Sequence, residues 1–258
     1  MSELVTISTV AGVADVRLNR AEKLNALNEE MFKAIGAAVD RLSDAQGLRC
    51  VVLSGEGRGF CAGVDLESLA SSPAMRDLQP RTHGKANMFQ HAAWGWRQLP
   101  VPVIAAVHGF AFGAGFQLIL GADIRIAAPE AQLSMMEARW GLVPDVAGIA
   151  LLRGLVRDDV ARDIAYTARK FTGAEAAALG LVTRVEAAPH TAAMALAADI
   201  AAQSPAAIRA AKRLLNLEGD AAALLVAESV EQEILLASPG HAETIAAHRE
   251  KRPPVFGD

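Results

Sequence analysis

Hydrophobic and polar positions follow strand-like spacing at the start of the chain and then change to helical spacing. LVTISTVAGVADVRLN alternates and breaks at Gly12, which predicts a β-hairpin. NEEMFKAIGAAVDRLSDA has helical spacing after a capping residue, Asn28. Two continuous apolar runs that end in glycine, LRCVVLSG and VPVIAAVHG, predict buried strands, and ADIRIAAPEAQLSM predicts one or two more. The chain is therefore expected to open β-β-α and to form an α/β fold.

From Gly148 onward the pattern is almost entirely helical, and only LVTRVE interrupts it as a strand. The predicted helices lie in GIALLRGLV, DDVARDIAYTA, GAEAAALG, HTAAMALAADIAAQ, SPAAIRAAKRLLN and DAAALLVAESVEQEILLA. We expect an α/β core in residues 1–200 and a helical region in residues 201–258. The second region is rich in alanine and apolar on more than one face, which favours docking between subunits.

Composition narrows the class of protein. The 258 residues are 52% hydrophobic and 21% charged, which excludes a disordered chain. A net charge of -4 gives no general attraction to nucleic acid or to an anionic membrane. The scattered histidines lack metal-ligand spacing, so no metal site is expected. The two cysteines favour a reducing cytoplasm, and no basic and apolar leader opens the chain.

Residues 103–122 form a run without a formal charge that is long enough to span a membrane. The run nevertheless starts with strand-like residues, and it contains His108, Gln117 and several glycines. A strand, a glycine loop and a buried helix explain these residues without leaving backbone groups unpaired in lipid. We therefore predict that the run does not cross a membrane.

Two segments share one arrangement of strand, small-residue loop and helix. RCVVLSG leads into EGRGFCAGVDL, and VIAAVHG leads into FAFGAGFQLIL. Glycine allows close approach of a ligand, and the first turn of a helix leaves N–H groups without partners. A phosphate site is one reading, but the G-x-G-x-x-G and G-K-[ST] patterns are absent. The other reading is an oxyanion hole, in which two N–H groups bind a carbonyl oxygen that becomes negatively charged.

Five stretches in order resemble signatures of the crotonase superfamily, the enoyl-CoA hydratase/isomerase family. They are LNRAEKLNALN, GEGRGFCAGVDL, HGFAFGAGFQLILGADIRIA, MEARWGLVPDVAG and SPAAIRAAKRLLN. The resemblance implies a crotonase-like spiral of ββα units with a C-terminal helical trimerisation region that also forms part of the CoA pocket. It implies homotrimers or hexamers and acyl-CoA substrates. Coenzyme A is then part of the substrate and no separate cofactor is needed.

The resemblance also implies roles for individual residues. It assigns the oxyanion donors to the backbone N–H groups of Ala62 and Ala114, the latter preceded by Gly113. Further residues are implied to line the substrate and CoA path: Lys23, Leu24, Ala26, Ala62, Gly63, Val64, Asp65, Leu66 and Gly113.

Acidic residues decide which reaction of the family is expected. Hydratases of this family use two glutamates, and this chain resembles them only at Glu137, because Gln117 occupies the first position. Asp145 follows eight residues later, and dienoyl-CoA isomerases of the family have acidic groups at the positions of both Glu137 and Asp145. The apolar neighbours of both favour a raised carboxyl pKa. We predict double-bond isomerisation with Asp145 as base and Glu137 as acid.

Other readings stay open at this point. Glu137 could pair with Arg139, Asp145 could cap a helix that starts near Val146, and Gln117 could be a buried amide bound to backbone, hold a water or orient Glu137. Cys61 is read as a packing residue. A hydratase that uses Glu137 alone is the nearest alternative function. A non-catalytic oligomer or RNA-binding member of the fold is a remote one.

Overall fold

The computed structural model describes residues 3–257 as an α/β fold with two sheets and a helical C-terminal region. The strands are β1 Val5–Val10, β2 Val13–Leu18, β3 Cys50–Gly55, β4 Val103–Val107, β5 Phe110–Phe112, β6 Ile124–Ala127, β7 Gln132–Ser134, β8 Phe171–Thr172 and β9 Arg184–Val185. The α-helices are α1 Glu29–Ser43, α2 Leu66–Ser71, α3 Met88–Gln98, α4 Ala114–Leu120, α5 Gly148–Leu152, α6 Asp158–Thr167, α7 Gly173–Ala178, α8 Pro189–Ala201, α9 Pro205–Leu215, α10 Ala221–Leu236 and α11 Pro239–Glu250. Short 3-10 helices cover Ala21–Lys23, Ala74–Arg76 and Glu137–Trp140.

The larger sheet has six strands in the order β1-β2-β3-β4-β6-β9. The predicted hairpin, β1 and β2, is antiparallel, and the remaining neighbours pair in parallel. The smaller sheet has the order β5-β7-β8. The predicted α/β class is confirmed, and the Asn28 side chain caps α1 as expected by accepting from Met31 N at 3.0 Å.

Apolar residues on both faces of the larger sheet are buried. In β3, Val51 and Leu53 belong to the main core, whereas Val52 packs with Ala193 and Ala197 of α8 on the opposite face. This two-sided burial explains why the sequence of β3 is continuously apolar instead of alternating. Packing on both faces of the sheet therefore holds the ends of β3 and β4 in place.

The uncharged run of residues 103–122 contains the predicted strand and helix, but the predicted glycine loop between them also includes the short strand β5. The run consists of β4, β5 and α4, and every residue of α4 is buried in the protein. Within residues 3–257, no helix has the length and apolar character needed to cross a membrane.

The C-terminal helices follow α8 after a short break. Lys212 of α9 is buried and donates to Asp123 Oδ2 at 2.7 Å and to the Val101 carbonyl at 2.8 Å, which anchors α9 to the α/β core. Two predicted elements are shorter than expected: α5 ends at Leu152, and β9 has only two residues because it pairs with the end of β6 alone. The division between residues 200 and 201 lies at the last turn of α8 and stays a prediction.

Candidate active site

The two glycine loops lie side by side. Cys61 N donates to the Phe110 carbonyl at 3.2 Å, and Phe112 N donates to the Cys61 carbonyl at 3.0 Å. Gly63 has φ +100°, and a Cβ there would be 2.8 Å from the Phe112 oxygen and 3.8 Å from Ala114 N. A side chain at Gly63 would therefore be strained and crowded, and glycine allows this close approach.

The structure corrects one of the two predicted oxyanion donors. The N–H of Ala62 donates to the carbonyl oxygen of Leu24 at 3.0 Å, so it is already used inside the protein. The N–H of Val64 has no hydrogen-bond partner among residues 3–257, and neither has that of Ala114, the first residue of α4. Because Gly63 joins these loops closely, Val64 and Ala114 are the available donors.

Asn25 organises the loop that carries Leu24 and Ala26, and sequence reasoning missed it. Its fully buried amide donates to three carbonyls, those of Glu56 at 2.8 Å and of Gly59 and Phe60 at 3.1 Å. Leu24 and Asn25 both have positive φ. An asparagine inside an apolar stretch was the available signal, since asparagine tolerates this backbone region better than most residues.

Both carboxylate oxygens of Asp65 accept hydrogen bonds within the protein. Oδ1 accepts from Ser68 N at 3.2 Å and caps α2, while Oδ2 accepts from Arg20 Nη1 at 2.8 Å. The hydrogen bond from Arg20 lowers the pKa of Asp65. Arg20 also donates to the Ala26 carbonyl at 3.0 Å, so this pair joins the two loops that carry the predicted CoA contacts.

The remaining predicted CoA contacts are distributed over the same loops. Lys23 and Leu66 are exposed, whereas Leu24, Ala26 and Val64 are half-buried. The structure brings the two loops together through the hydrogen bond from Ala62 to Leu24 and through a parallel bridge between Leu27 and Val64. The binding of CoA by these residues stays a prediction.

The buried side chain of Gln117 forms hydrogen bonds to two parts of the site. Its Oε1 accepts from the backbone N of Val146 at 2.8 Å and of Gly148 at 3.0 Å, and its Nε2 donates to Glu137 Oε1 at 2.6 Å. The two backbone donors define which end of the amide is oxygen. The open reading that Gln117 binds backbone and orients Glu137 therefore describes the observed contacts.

Glu137 is the buried first residue of a 3-10 helix and lies directly beside Gly113. Its Oε1 would be 3.2 Å from a Cβ at Gly113, and its buried Oε2 has no partner among the described residues. Burial raises the pKa of Glu137, and the charge of Asp145 adds to the rise. Arg139 is exposed and forms no ion pair with Glu137 within residues 3–257.

Asp145 lines a small apolar cavity that also contains Val64. Burial raises its pKa. The open alternative that Asp145 caps a helix is wrong, because α5 begins at Gly148 with Ala147 as its cap residue and without a side-chain hydrogen bond. Val64, whose N–H is unpaired among the described residues, and Asp145 thus line the same cavity.

Two other candidate groups are not suited to chemistry at this site. Cys61 is fully buried, and burial raises the pKa of its thiol to about 12, which leaves it protonated. Asp40, His83 and His91 form a cluster, but the histidine rings are stacked with centroids 4.1 Å apart and an interplanar angle of 16°. Nearly parallel rings direct their in-plane lone pairs side by side instead of towards one ion.

Two unpaired backbone N–H groups and two carboxyl groups of raised pKa on neighbouring loops fit an enzyme that moves protons next to a bound carbonyl oxygen. The comparison with known families identifies which one. The model of the enoyl-CoA hydratase/isomerase family matches residues 8–258, and the chain belongs to this family. It is therefore an acyl-CoA enzyme with a crotonase fold.

Similar proteins cover almost the whole chain. The methylglutaconyl-CoA hydratase of Mus musculus is 31% identical over 254 residues, which span 95% of this chain and 79% of that protein. The crystal structure of an enoyl-CoA hydratase from Bacillus anthracis has a TM-score of 0.90 and 29% identity, with 98% of both chains covered. An enoyl-CoA hydratase from Mycobacterium smegmatis has a TM-score of 0.86 and 30% identity, also with 98% coverage of both chains.

Proposed function

We propose that the protein isomerises a double bond of an enoyl- or dienoyl-CoA thioester. The orientation of Gln117 carries this proposal. A carboxamide neither takes nor gives a proton near neutral pH, and Gln117 instead binds two backbone N–H groups through its oxygen and Glu137 through its NH2 group. Two carboxyl groups of raised pKa then remain for proton transfer, Glu137 and Asp145.

The proposed reaction moves one proton off the substrate and one onto it. The N–H groups of Val64 and Ala114 bind the thioester oxygen, which stabilises the negative charge of a dienolate. Asp145 takes the proton from C2, and Glu137, whose pKa is raised by burial, gives a proton to the far carbon. Substrate and product have the same composition, and proton exchange afterwards restores both carboxyl groups. Coenzyme A stays attached throughout, so the proposal needs no further cofactor and no metal.

Hydration is the second candidate function, because the similar proteins described above are named as hydratases. In that reaction Glu137 alone positions the water, and Gln117 holds Glu137 in place. Asp145 then has no proton to move. The two candidates therefore differ in their dependence on Asp145.

Turnover of two substrates by three proteins tests the proposal. We expect the wild type to shift the double bonds of a 3,5-dienoyl-CoA, and Asp145→Asn and Glu137→Gln each to lower kcat/KM by about 10²- to 10⁴-fold. Asp199→Asn removes an exposed carboxylate and should change nothing. Rapid hydration of a 2-enoyl-CoA with no shift of the dienoyl-CoA contradicts the proposal. A wild-type rate equal to that of both variants favours a non-catalytic oligomer or an RNA-binding role instead.

We further propose that the protein acts as a homotrimer or as a hexamer of two trimers. The 16 residues of α10 include none that is buried, and large apolar side chains of this helix are exposed: Leu225, Val226, Val230, Ile234 and Leu236. A second copy of the chain would remove them from water. A cytoplasmic location without nucleic-acid or membrane partners stays our prediction, which the two free cysteines and the net charge support.

A further inference from the structure

The cavity lined by Val64 and Asp145 is small. Its volume is about 50 Å³. Phe32 of α1 and Phe89 of α3 contact each other edge to face there, with ring centroids 5.0 Å apart and an interplanar angle of 87°. Both rings are almost fully buried. An acyl chain that enters past Val64 therefore meets a packed aromatic pair.

Further lining residues of the cavity come from α2 and the segment that follows it. Leu69 of α2, Met75 of the 3-10 helix and Leu78 contribute the side chains, and Val146 completes the lining. Met75 is 8% exposed and packs in the main core, so its side chain already fills space that a longer ligand would need. A ligand longer than the cavity would therefore have to displace side chains such as Met75 or Phe89.

The volume of the cavity limits the number of ligand atoms that fit into it. One water-sized position needs about 10 to 15 Å³, so the cavity has room for about three to five heavy atoms. The thioester carbon lies outside this space if its oxygen is bound by Val64 and Ala114. Acyl chains of about four to six carbons fill the cavity without moving its walls.

The charge of the lining restricts the chemistry of the acyl end. Asp145 is the only ionisable side chain among the lining residues. A carboxylate at the end of the acyl chain would lose its water without gaining a cation, and it would lie near the carboxyl group of Asp145. Burial of such an unpaired charge is strongly unfavourable.

We propose that this pocket selects a short, uncharged acyl chain, and that Met75 and Phe89 limit its length. The inference rests on the proposed acyl-CoA function, because it takes Val64 as the binding point of the thioester oxygen. It adds a substrate class that the family alone does not define.

Binding of saturated thioesters by isothermal titration calorimetry tests the pocket without the reaction. We expect the affinity to rise by about fourfold for each methylene group from acetyl-CoA to hexanoyl-CoA and then to stay level or fall towards decanoyl-CoA. Valeryl-CoA and glutaryl-CoA have acyl chains of five carbons each, and we expect glutaryl-CoA to bind at least about tenfold more weakly. Affinity that keeps rising to decanoyl-CoA, or equal binding of this pair, overturns the inference.

Variants assign the limit to the two side chains. Met75→Ala should move the tightest-binding chain to a longer one, and Phe89→Leu should do so if the alanine variant is unstable. Met88→Ala is the matched control, because Met88 begins α3 but does not line the cavity. An unchanged chain-length optimum in both Met75→Ala and Phe89→Leu overturns the assignment.

The same series separates this inference from the proposed function. The expected binding pattern without turnover of any enoyl-CoA contradicts the isomerase and leaves the pocket assignment standing. Turnover of a dienoyl-CoA together with affinity that rises steadily to decanoyl-CoA contradicts the pocket assignment and leaves the isomerase standing. If no thioester binds more tightly than free coenzyme A, both are contradicted.

Discussion

At the scale of single residues, Gln117 determines how many proton-transfer groups the site has. A carboxylate at this position would lie beside Glu137, because Nε2 of Gln117 is 2.6 Å from Glu137 Oε1. Two carboxylates at that distance share a proton and titrate as a pair. The amide avoids this coupling and donates a hydrogen bond to Glu137 instead.

Gln117→Glu tests this view. The new side chain can still accept from Val146 N and Gly148 N, but its second oxygen faces Glu137 and requires a shared proton. We expect the limb of the pH–kcat/KM profile that belongs to Glu137 to move to higher pH by about one unit or more. Gln203→Glu makes the same charge change on the surface and should leave the profile in place. Superimposable profiles of Gln117→Glu and the wild type contradict the coupling.

Glu137 should decrease stability at neutral pH. Its folded pKa is raised above 4.5, so the folded state binds the proton more tightly than the unfolded state does. This stabilising effect is complete below pH 4.5 and is lost as the pH rises through the folded pKa. Glu137→Gln keeps the acceptor for Gln117 and removes the buried charge.

We therefore expect the Tm of Glu137→Gln to equal that of the wild type near pH 4 and to exceed it at pH 8. The free-energy difference is about 1.4 kcal/mol for each unit by which the pKa is raised, and each kcal/mol corresponds to about 2 to 4 °C. Scanning calorimetry at both pH values measures it. Glu130→Gln, an exposed control, should show no difference, and a lower Tm of Glu137→Gln at pH 8 would contradict the buried-charge account.

At the scale of elements, the site depends on two loops that can approach each other only through glycine. Gly63→Ala introduces a Cβ at φ +100°, 2.8 Å from the Phe112 carbonyl. We expect a loss of stability of about 1 to 3 kcal/mol. We also expect kcat/KM to fall by about 10- to 100-fold, because the two N–H donors move apart. Chemical denaturation and turnover measure the two effects.

Gly84→Ala is the matched control for this change. Gly84 also has a positive φ, +61°, but a Cβ there meets nothing within 4 Å. It should cost stability through its backbone conformation and leave kcat/KM unchanged. Equal losses of kcat/KM in Gly63→Ala and Gly84→Ala would show that catalysis does not depend on the close approach of the two loops.

At the scale of the whole molecule, the exposed apolar side of α10 is the feature that a single chain leaves unexplained. We expect Val230→Glu to convert a trimer or hexamer into protomers while the circular dichroism spectrum is retained, because the charge would be buried between subunits. Gln232→Glu adds the same charge two residues further along α10 without removing an apolar side chain. Light scattering after size exclusion gives the mass, and an unchanged oligomer in Val230→Glu would place the interface elsewhere.

Most elements could be predicted because their signals are local. The β1-β2 hairpin follows from alternation, β3 and β4 from continuous apolar runs, and the start of α1 from the Asn28 cap. Such signals depend on residues within a few positions of each other. The extents of α5 and β9 depend on contacts with distant segments, and both elements are shorter than the sequence predicted.

Local patterns along the chain were enough to predict the fold class, the pair of glycine loops and the chemical groups near them, including the carboxyl groups of Glu137 and Asp145. Which of these groups are free to act became visible only in the folded chain. Ala62 and Val64 are neighbours in one loop, yet the carbonyl of Leu24 occupies one N–H group and leaves the other unpaired. The direction of the Gln117 amide likewise depends on Val146 and Gly148. Hydrogen bonds between segments far apart in the chain have no local signature, so their effect on a site appears only when the chain is folded.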